Sequence, residues 1–559
     1  MSKNKLNVKQ LIYKTFNLHT LTFGASLIVM ATILTTLHQG ISCDEGFYLM
    51  GYLHNQPSGN FISDYANIVQ SFTPERLEAN IMVYRYERLI GFVVSLLIFA
   101  LSLYRWLVMR YNIKINILLY GSLLFMSGTM SYTFATPTIS YDSIQTFVYL
   151  LAFSFMFWAV TSYQLLWTKL FLLLSGMVSI VGLLNYFPSG VFLIVFLSVW
   201  IILDMDKNRL QNLAFYLFGL VIGAVLYHFL VRNLIEYAGI AFDTIVKVFT
   251  EESASRHDSN GLIKSFIIKF GVFSIFIPFI LLLSVIFKKI KLPKYVIYIL
   301  VFIIILFLLL YRDIYYYTYA PLFFIPIAIQ IAWLIANETS IHYKKDLLLL
   351  GILIILPFLA VFGTNQNLFT KMLIFIPFWL ITYFILYSKT TNSQIKNITA
   401  TLLVILFFAG YFYLGNFSRY HYYYTPRSSK YRIENIERPQ NITFSLYQKE
   451  YFEELSNILY DFGAQKGDKY LAFGENQMSV FLMGGYICGK LPYHWFQYKD
   501  FPKERPKFLI LFKNEEQEVI DLLSSTSWCF PDDYNRIEFR PMSQNMDQEE
   551  LRTVIYALN

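Results

Sequence analysis

Apolar residues fall in long, nearly charge-free blocks along the first three quarters of the chain, and short polar segments separate the blocks. Roughly 18 to 20 apolar residues are enough for a helix to cross the hydrocarbon core of a bilayer. The blocks of about this length are 19–37, 89–108, 115–135, 144–163, 169–187, 188–203, 212–231, 263–287, 295–311, 318–336, 347–362, 372–387 and 398–415. The pattern predicts a polytopic α-helical membrane protein with about thirteen transmembrane helices.

The break at Asn185–Pro188 decides whether that number is odd or even. If one span lies on each side of the break, the chain after residue 416 is on the face opposite the N-terminus. One long span through the break is the alternative, and it would move the later basic loops to the other face.

The pattern changes after about residue 416, where strand-like and helix-like segments alternate. The predicted elements of this tail are helices at Gln448–Phe462, Glu515–Leu523 and Glu549–Leu558 and strands at Lys469–Phe473 and Lys507–Phe512. We therefore divide the chain into a transmembrane domain, 1–416, and a small α/β domain, 417–559. The tail has no phosphate loop or nucleophile elbow, so a lid or docking role is favoured for it.

Composition supports the membrane assignment, because 56% of the 559 residues are hydrophobic and only 15% are charged. The net charge of +8 does not indicate nucleic acid, since Lys and Arg lie mostly in short clusters between apolar blocks. This is the positive-inside pattern, which predicts a cytoplasmic N-terminus and an extracytoplasmic tail. The expected location is the cell inner membrane. Cys488 and Cys529 in the tail either pair or remain thiols.

The first outer loop, 39–88, opens with an acidic pair, Asp44 and Glu45. Carboxylates at a membrane boundary are costly unless they are solvated, paired or used. Tyr48, Leu49 and the residues after them have near-helical spacing, so we expect an amphipathic helix along the membrane surface. The ordinary alternative is a pair of acids that water solvates just outside the membrane.

A span, an outer Asp-Glu pair, an amphipathic loop, many further spans and an outer soluble tail together resemble the GT-C glycosyltransferases. Within them the chain resembles the group of protein O-mannosyltransferases and lipid A aminoarabinose transferases. The resemblance implies inverting transfer of a sugar from a polyprenyl-phosphate donor to a lipid, glycan or protein acceptor at the outer face. It implies a catalytic role for Asp44, with Glu45 beside it, and for Asp142 in the loop Ala135–Ser143. Capping of the fourth span is the alternative role for Asp142.

Four residues are candidates for binding the donor's phosphate or lipid: Arg85, Arg88, Arg312 and Tyr319. Arginine suits a phosphate because it stays charged and its fork can hold two oxygens. Anchoring of an interfacial helix is the alternative for the first-loop arginines, and tyrosine also belongs at membrane interfaces. The segment Asn185–Gly190 lacks the basic residue common in the family. The Trp-Trp-Asp-Tyr-Gly run of oligosaccharyltransferases is absent from the sequence, which disfavours transfer of a whole oligosaccharide to Asn.

No spacing of metal ligands stands out, and the cofactor requirement stays open. A divalent ion held by Asp44, Asp142 and Glu251 or Glu252 is one alternative, and an arginine acting alone on the phosphate is the other. A transporter or flippase, and a polymerase or ligase of lipid-linked glycans, are the rival functions. Transporters tend to place ionisable residues inside the spans and to show repeat symmetry, whereas the acids here collect in outer loops.

Overall fold

The structure is a computed structural model. It describes residues 18–40, 43–54, 56, 63–77, 79–134, 136–205, 208–250, 259–289, 319–337, 344–362, 368–411, 430–433, 436, 438, 441–473, 476–488, 505–524, 526, 528–541 and 552–559.

Most of the described chain before residue 412 is helical. The helices of this part are α1 (Leu18–Thr36), α2 (Cys43–Gly51), α3 (Tyr65–Phe72), α4 (Ile81–Tyr111), α5 (Ile117–Thr133), α6 (Tyr141–Val160), α7 (Leu165–Asn185), α8 (Phe187–Asp204), α9 (Arg209–Leu230), α10 (Leu234–Thr250), α11 (Ser259–Phe273), α12 (Phe276–Lys289), α13 (Ile325–Ala336), α14 (Lys344–Ala360), α15 (Leu368–Met372), α16 (Ile376–Lys389) and α17 (Ser393–Ala409). Within the described ranges, nine helical segments are long and apolar enough to cross a membrane, and Asp346–Ala360 and Ser393–Ala409 are shorter apolar helices. The chain is thus a polytopic membrane protein, and the predicted block 295–311 lies outside the described residues.

Large apolar side chains on the outside of the bundle are exposed, as lipid-facing positions require. Leu97 is 58% exposed, Ile117 66% and Phe218 54%. The polar groups of these helices turn inward instead. Such a surface is stable only in contact with an apolar solvent, which here is the bilayer.

The break at Asn185–Pro188 separates two helices that fold back on each other. Tyr186 has extended backbone angles, φ −152° and ψ 96°, and Pro188 sits in the first turn of α8. A Cβ added to Gly190 would lie 2.2 Å from the Cα of Leu183, so only glycine allows the hairpin to close this tightly. The prediction of two spans at this break is confirmed.

One end of the bundle joins segments that the sequence places on the cytoplasmic side. Arg110, at the end of α4, pairs with Asp204 at the end of α8 and lies 3.1 Å from Asp346 at the start of α14. The Lys389 ammonium lies 5.6 Å from the centre of the Tyr111 ring. The loops predicted to share a face therefore do meet at one end, which we call the basic end.

The C-terminal domain is a mixed sheet with helices. Its elements are α18 (Leu446–Asp461), β1 (Lys469–Ala472), α19 (Gln477–Leu482), β2 (Tyr486–Ile487), β3 (Phe508–Phe512), α20 (Glu516–Leu523), β4 (Tyr534–Phe539) and β5 (Thr553–Leu558). The strand order is β2-β1-β3-β5-β4, with β1 parallel to β2 and β3, and β5 antiparallel to β3 and β4. The predicted small α/β domain is present, and α18 begins with a capping box between Ser445 and Gln448.

The predicted terminal helix at Glu549–Leu558 is wrong, because Thr553–Leu558 forms strand β5. This strand lies between β3 and β4, and five of its six residues are buried. Its β-branched and aromatic residues suit such a position. Cys529 is a free, exposed thiol, so the structure shows the unpaired alternative for it.

Candidate active site

The acidic pair lies on α2, the short helix that follows the first span. The side chain of Asp44 lies outside the described atoms, so its predicted role stays a prediction. The apolar side chains that were expected to face the membrane surface are instead buried within the protein. Tyr48, Leu49 and Leu53 are at most 5% exposed, because they pack against protein rather than lipid.

Glu45 is fully buried and pairs with Arg85 of α4. Arg85 Nε donates to Glu45 Oε1 at 2.9 Å, and Arg85 Nη2 donates to Glu45 Oε2 at 2.8 Å. Arg85 also donates to the carbonyl oxygens of Leu37 at 2.7 Å and Gly40 at 2.6 Å. Every nitrogen of the guanidinium is thus used within the protein. This arrangement favours an anchoring role for both residues over the catalytic role predicted for Glu45 and the phosphate-binding role predicted for Arg85.

Arg88 lies one turn further along α4 and is also buried, at 2% exposure. Its guanidinium carbon is 3.9 Å from the centre of the Tyr132 ring, and Nη2 donates to the Tyr132 carbonyl oxygen. Stacking and this bond hold the arginine between α4 and α5. The geometry again favours an anchor, the alternative to phosphate binding for the first-loop arginines.

Asp142 lies in the first turn of α6 and does not cap the helix. Ser140 is the cap, since its hydroxyl accepts from the Ser143 backbone N–H at 3.3 Å. The Asp142 carboxylate instead accepts a hydrogen bond from the Lys371 ammonium of α15. Lys371 also donates to the Tyr141 hydroxyl at 3.2 Å. The capping alternative is therefore wrong, and Asp142 belongs to a charged pair at the end of the bundle opposite the basic end.

Lys371 is a site residue that the sequence analysis missed. Only 7% of its side chain is exposed, and 18% of the Asp142 side chain. A lysine at the edge of an apolar block is costly to bury unless it is paired, which is the signal that would have indicated it. Its ammonium pairs with Asp142, one of the candidate catalytic carboxylates.

A cluster of tyrosine rings joins α2 to the Asp142 turn. The Tyr48 ring of α2 is 6.1 Å from the Tyr141 ring and 5.2 Å from the Tyr65 ring, centre to centre. Tyr141 in turn lies 5.8 Å from Tyr186 at the start of α8. The contacts bring the helix of the acidic pair and the predicted second acid to the same end of the bundle.

Asp64, a buried carboxylate, is another residue that the sequence analysis missed. Tyr227 donates to Asp64 Oδ2 at 2.5 Å, Asn67 donates to Oδ1 at 2.6 Å, and Arg232 donates to Oδ1 at 3.2 Å. Burial raises the pKa of Asp64 above its ordinary value, although these three donors act in the opposite direction. The cluster ties the first loop to the end of α9.

The third predicted patch is only partly described. Arg312 lies outside the described residues. Tyr319 is 3% exposed, and its hydroxyl donates to the Leu406 carbonyl oxygen at 2.5 Å. The hydroxyl thus joins this segment to α17, which favours a packing role over the predicted contact with phosphate or lipid.

Within the described residues, no three His, Cys, Asp or Glu side chains group as ligands for a metal ion. Glu251, Glu252 and the side chain of Asp44 are not among them, so the alternative of a divalent ion at this end stays open.

No family model and no curated protein sequence matches the chain. Among solved structures, it is similar to the crystal structure of the Archaeoglobus fulgidus oligosaccharyltransferase in complex with Zn and sulfate. The two share 10% sequence identity with a TM-score of 0.43, and the match covers 92% of this chain and 72% of the other. The roles assigned below rest on the residues and geometry of this chain.

Proposed function

We propose that this protein is an inverting membrane glycosyltransferase of the GT-C type that uses a polyprenyl-phosphate sugar donor. The observation that carries the proposal is the meeting of α2, the helix of Asp44 and Glu45, with the Asp142–Lys371 pair through the contact of Tyr48 and Tyr141. Two acidic positions and a cation at one end of an apolar helix bundle suit a reaction between a membrane-bound donor and an acceptor from water.

In the proposed reaction, the Asp44 carboxylate takes the proton from the acceptor hydroxyl while that oxygen attacks the anomeric carbon. The new glycosidic C–O bond forms on one face of the sugar, and the bond to the phosphate oxygen breaks on the other. The bonding electrons leave with the phosphate, which remains attached to its polyprenyl chain in the bilayer. The acceptor is a lipid, a glycan or a protein.

The negative charge that develops on the departing phosphate needs a cation. Arg85 and Arg88 are bound within the protein, so we assign this role to Lys371, with Arg312 as the predicted second cation. Asp142 orients the Lys371 ammonium through their ion pair. Holding both substrates at one interface also removes much of the entropy cost of bringing them together.

The proposed location is the inner membrane, with the N-terminus in the cytoplasm and the reaction at the outer face. The charge clusters support this orientation, since the basic end gathers the loops rich in Lys and Arg. The acidic helix α2 and the C-terminal domain meet at the opposite end.

The test compares Asp44→Asn with wild type in purified, folded protein supplied with polyprenyl-phosphate sugars from a lipid extract. We expect release of polyprenyl phosphate to fall by about 100-fold or more, the usual contribution of a general base. The matched control is Asp461→Asn, an exposed acid in the C-terminal domain, which should not change the rate. Transfer by Asp44→Asn at the wild-type rate would show that the assignment of Asp44 is wrong. Movement of the donor from one leaflet of a vesicle membrane to the other, without release of polyprenyl phosphate, would instead indicate a flippase.

A further inference from the structure

The C-terminal domain is attached directly to the first loop through Gln56. The Gln56 side chain is 2% exposed, and it forms two hydrogen bonds with Ile487 of β2. The Ile487 backbone N–H donates to Gln56 Oε1 at 2.8 Å, and Gln56 Nε2 donates to the Ile487 carbonyl oxygen at 3.2 Å. Because β2 is an edge strand, one of its sides carries backbone groups without a strand partner. The glutamine amide supplies that partner as a neighbouring strand would.

A second contact lies on α2 itself, two residues after Asp44. Helix α19 of the C-terminal domain packs on α2 so closely that a Cβ added to Gly46 would lie 2.4 Å from the Cα and backbone N of Met478. Real Cβ atoms do not approach backbone this closely, so any larger residue at this position must push the two helices apart. Gly46 is thus required by the docking of the domain on α2.

A third attachment lies just before α2. The Gly40 backbone N–H donates to the Thr443 carbonyl oxygen at 2.7 Å, and the Thr443 N–H donates to the His38 carbonyl oxygen at 2.9 Å. The C-terminal domain therefore holds the chain before Asp44, at Gly40, and after it, at Gly46 and Gln56. The membrane domain holds the same helix through the Glu45–Arg85 pair and the contact of the Tyr48 and Tyr141 rings.

We propose that the C-terminal domain positions the backbone of the acidic-pair helix, so that Gly46 and Gln56 are positioning residues for Asp44. The proposal rests on the proposed function, and it specifies the expected docking role, because the docked domain positions the helix that carries Asp44. The domain contacts the substrate through none of these residues. It acts by fixing a short helix whose own few turns would otherwise fray in water.

Two variants of the full-length protein test this, each with a matched control. Gln56→Leu keeps most of the volume and removes both hydrogen bonds, and Gln465→Leu makes the same change at an exposed position of the C-terminal domain. Gly46→Ala adds the clashing Cβ, and Gly121→Ala adds a Cβ in α5 where nothing lies within 4 Å.

The first readout is hydrogen exchange of the backbone amides in 43–51 and 476–488. We expect both variants to exchange at least tenfold faster in these two segments and as wild type in α6 and α7, while both controls match wild type throughout. Unchanged exchange in 43–51 would overturn the proposal. This readout does not require activity, so it decides the proposal even if the wild-type protein transfers no sugar and the proposed function fails.

The second readout is transfer itself. A loss of positioning should lower kcat about tenfold or more while the KM for the polyprenyl-phosphate donor stays within about twofold, because the phosphate of the donor is assigned to Lys371 and not to α2. Faster exchange in 43–51 combined with a wild-type kcat would show that the domain docks on α2 without positioning Asp44, and that result also overturns the proposal.

Discussion

Removal of either partner of the Glu45–Arg85 pair should destabilise the protein strongly. The two side chains are 0% and 1% exposed, and two hydrogen bonds of 2.9 and 2.8 Å join them. Glu45→Ala removes the Glu45 carboxylate from the buried Arg85 guanidinium. The backbone carbonyl oxygens of Leu37, Gln39 and Gly40 also accept from Arg85, and these are dipoles rather than charges.

The magnitude follows from the cost of an unpaired buried charge. Breaking a buried ion pair by deleting one partner costs about 3–5 kcal/mol, because the remaining charge has lost its water and gains nothing in return. Arg85→Ala should cost a similar amount, since it removes the charge paired with the buried Glu45 carboxylate and the donor to three carbonyl oxygens. The double variant should cost less than the sum of the two single variants by about 2 kcal/mol or more, since it leaves neither charge behind.

The measurement is the free energy of unfolding in mixed micelles, followed by the loss of helix signal as denaturing detergent is added. The control pair is Lys449 and Glu453, partly exposed on α18 and 3.0 Å apart, where Glu453→Ala should cost only about 0.3–0.5 kcal/mol. A cost below about 1 kcal/mol for Glu45→Ala would refute the anchoring role. It would also return Glu45 to the candidates for chemistry.

Three further outcomes are expected. Lys371→Met keeps the length of the side chain but removes the charge beside Asp142, so kcat for sugar transfer should fall by about 100-fold with the protein still folded. Gly190→Ala puts a Cβ 2.2 Å from the Leu183 Cα, and the resulting overpacking should lower the unfolding free energy by about 1–3 kcal/mol. Arg536 donates to Glu516 and holds the pKa of this carboxyl below its ordinary value. The stabilising contribution of Glu516 is therefore present above the pKa of the unfolded chain. It is lost as the pH falls through the pKa of the folded protein. Glu516→Gln should therefore flatten the loss of thermal stability on acidification below about pH 4.

The membrane helices were predictable because their signal is local. A transmembrane helix needs an apolar run of a certain length, and this run consists of consecutive residues in the sequence. The hairpin at Asn185–Pro188 is also local, since Pro188 at the start of α8 and Gly190 at the closest approach both stand in the sequence. The grouping of basic loops followed from charge alone, and Arg110, Asp204 and Asp346 now bring three of these loops together.

The end of the chain shows where local reasoning fails. Thr553–Leu558 has no alternation because both faces of β5 are buried, and a short apolar run of this kind can be read as helix or strand. Its pairing with β3 and β4 decides the matter, and this pairing is a tertiary property.

The candidate site was predictable in part, for the same reason. Asp142 was found because its motif is contiguous. Its partner Lys371 lies 229 residues away, and Tyr227 lies 163 residues from Asp64, so no local pattern could have joined them. For Arg85 and Arg88 the structure favours the anchoring alternative, and the sequence could not decide it, because burial cannot be read from a charged residue near a membrane boundary.

In the acidic pair, two residues that are adjacent in sequence have different roles in the fold. Successive residues of a helix lie about 100° apart around its axis, so an anchor at Glu45 does not require Asp44 to share its surroundings. If the division of roles is correct, Asp44→Asn should lose turnover and keep its unfolding free energy, whereas Glu45→Gln should lose stability first. Both variants are neutral and nearly isosteric, so the comparison isolates the charge at each position. The same loss of turnover and stability in both variants would mean that the two carboxylates act as one unit, contrary to the geometry of the Glu45–Arg85 pair.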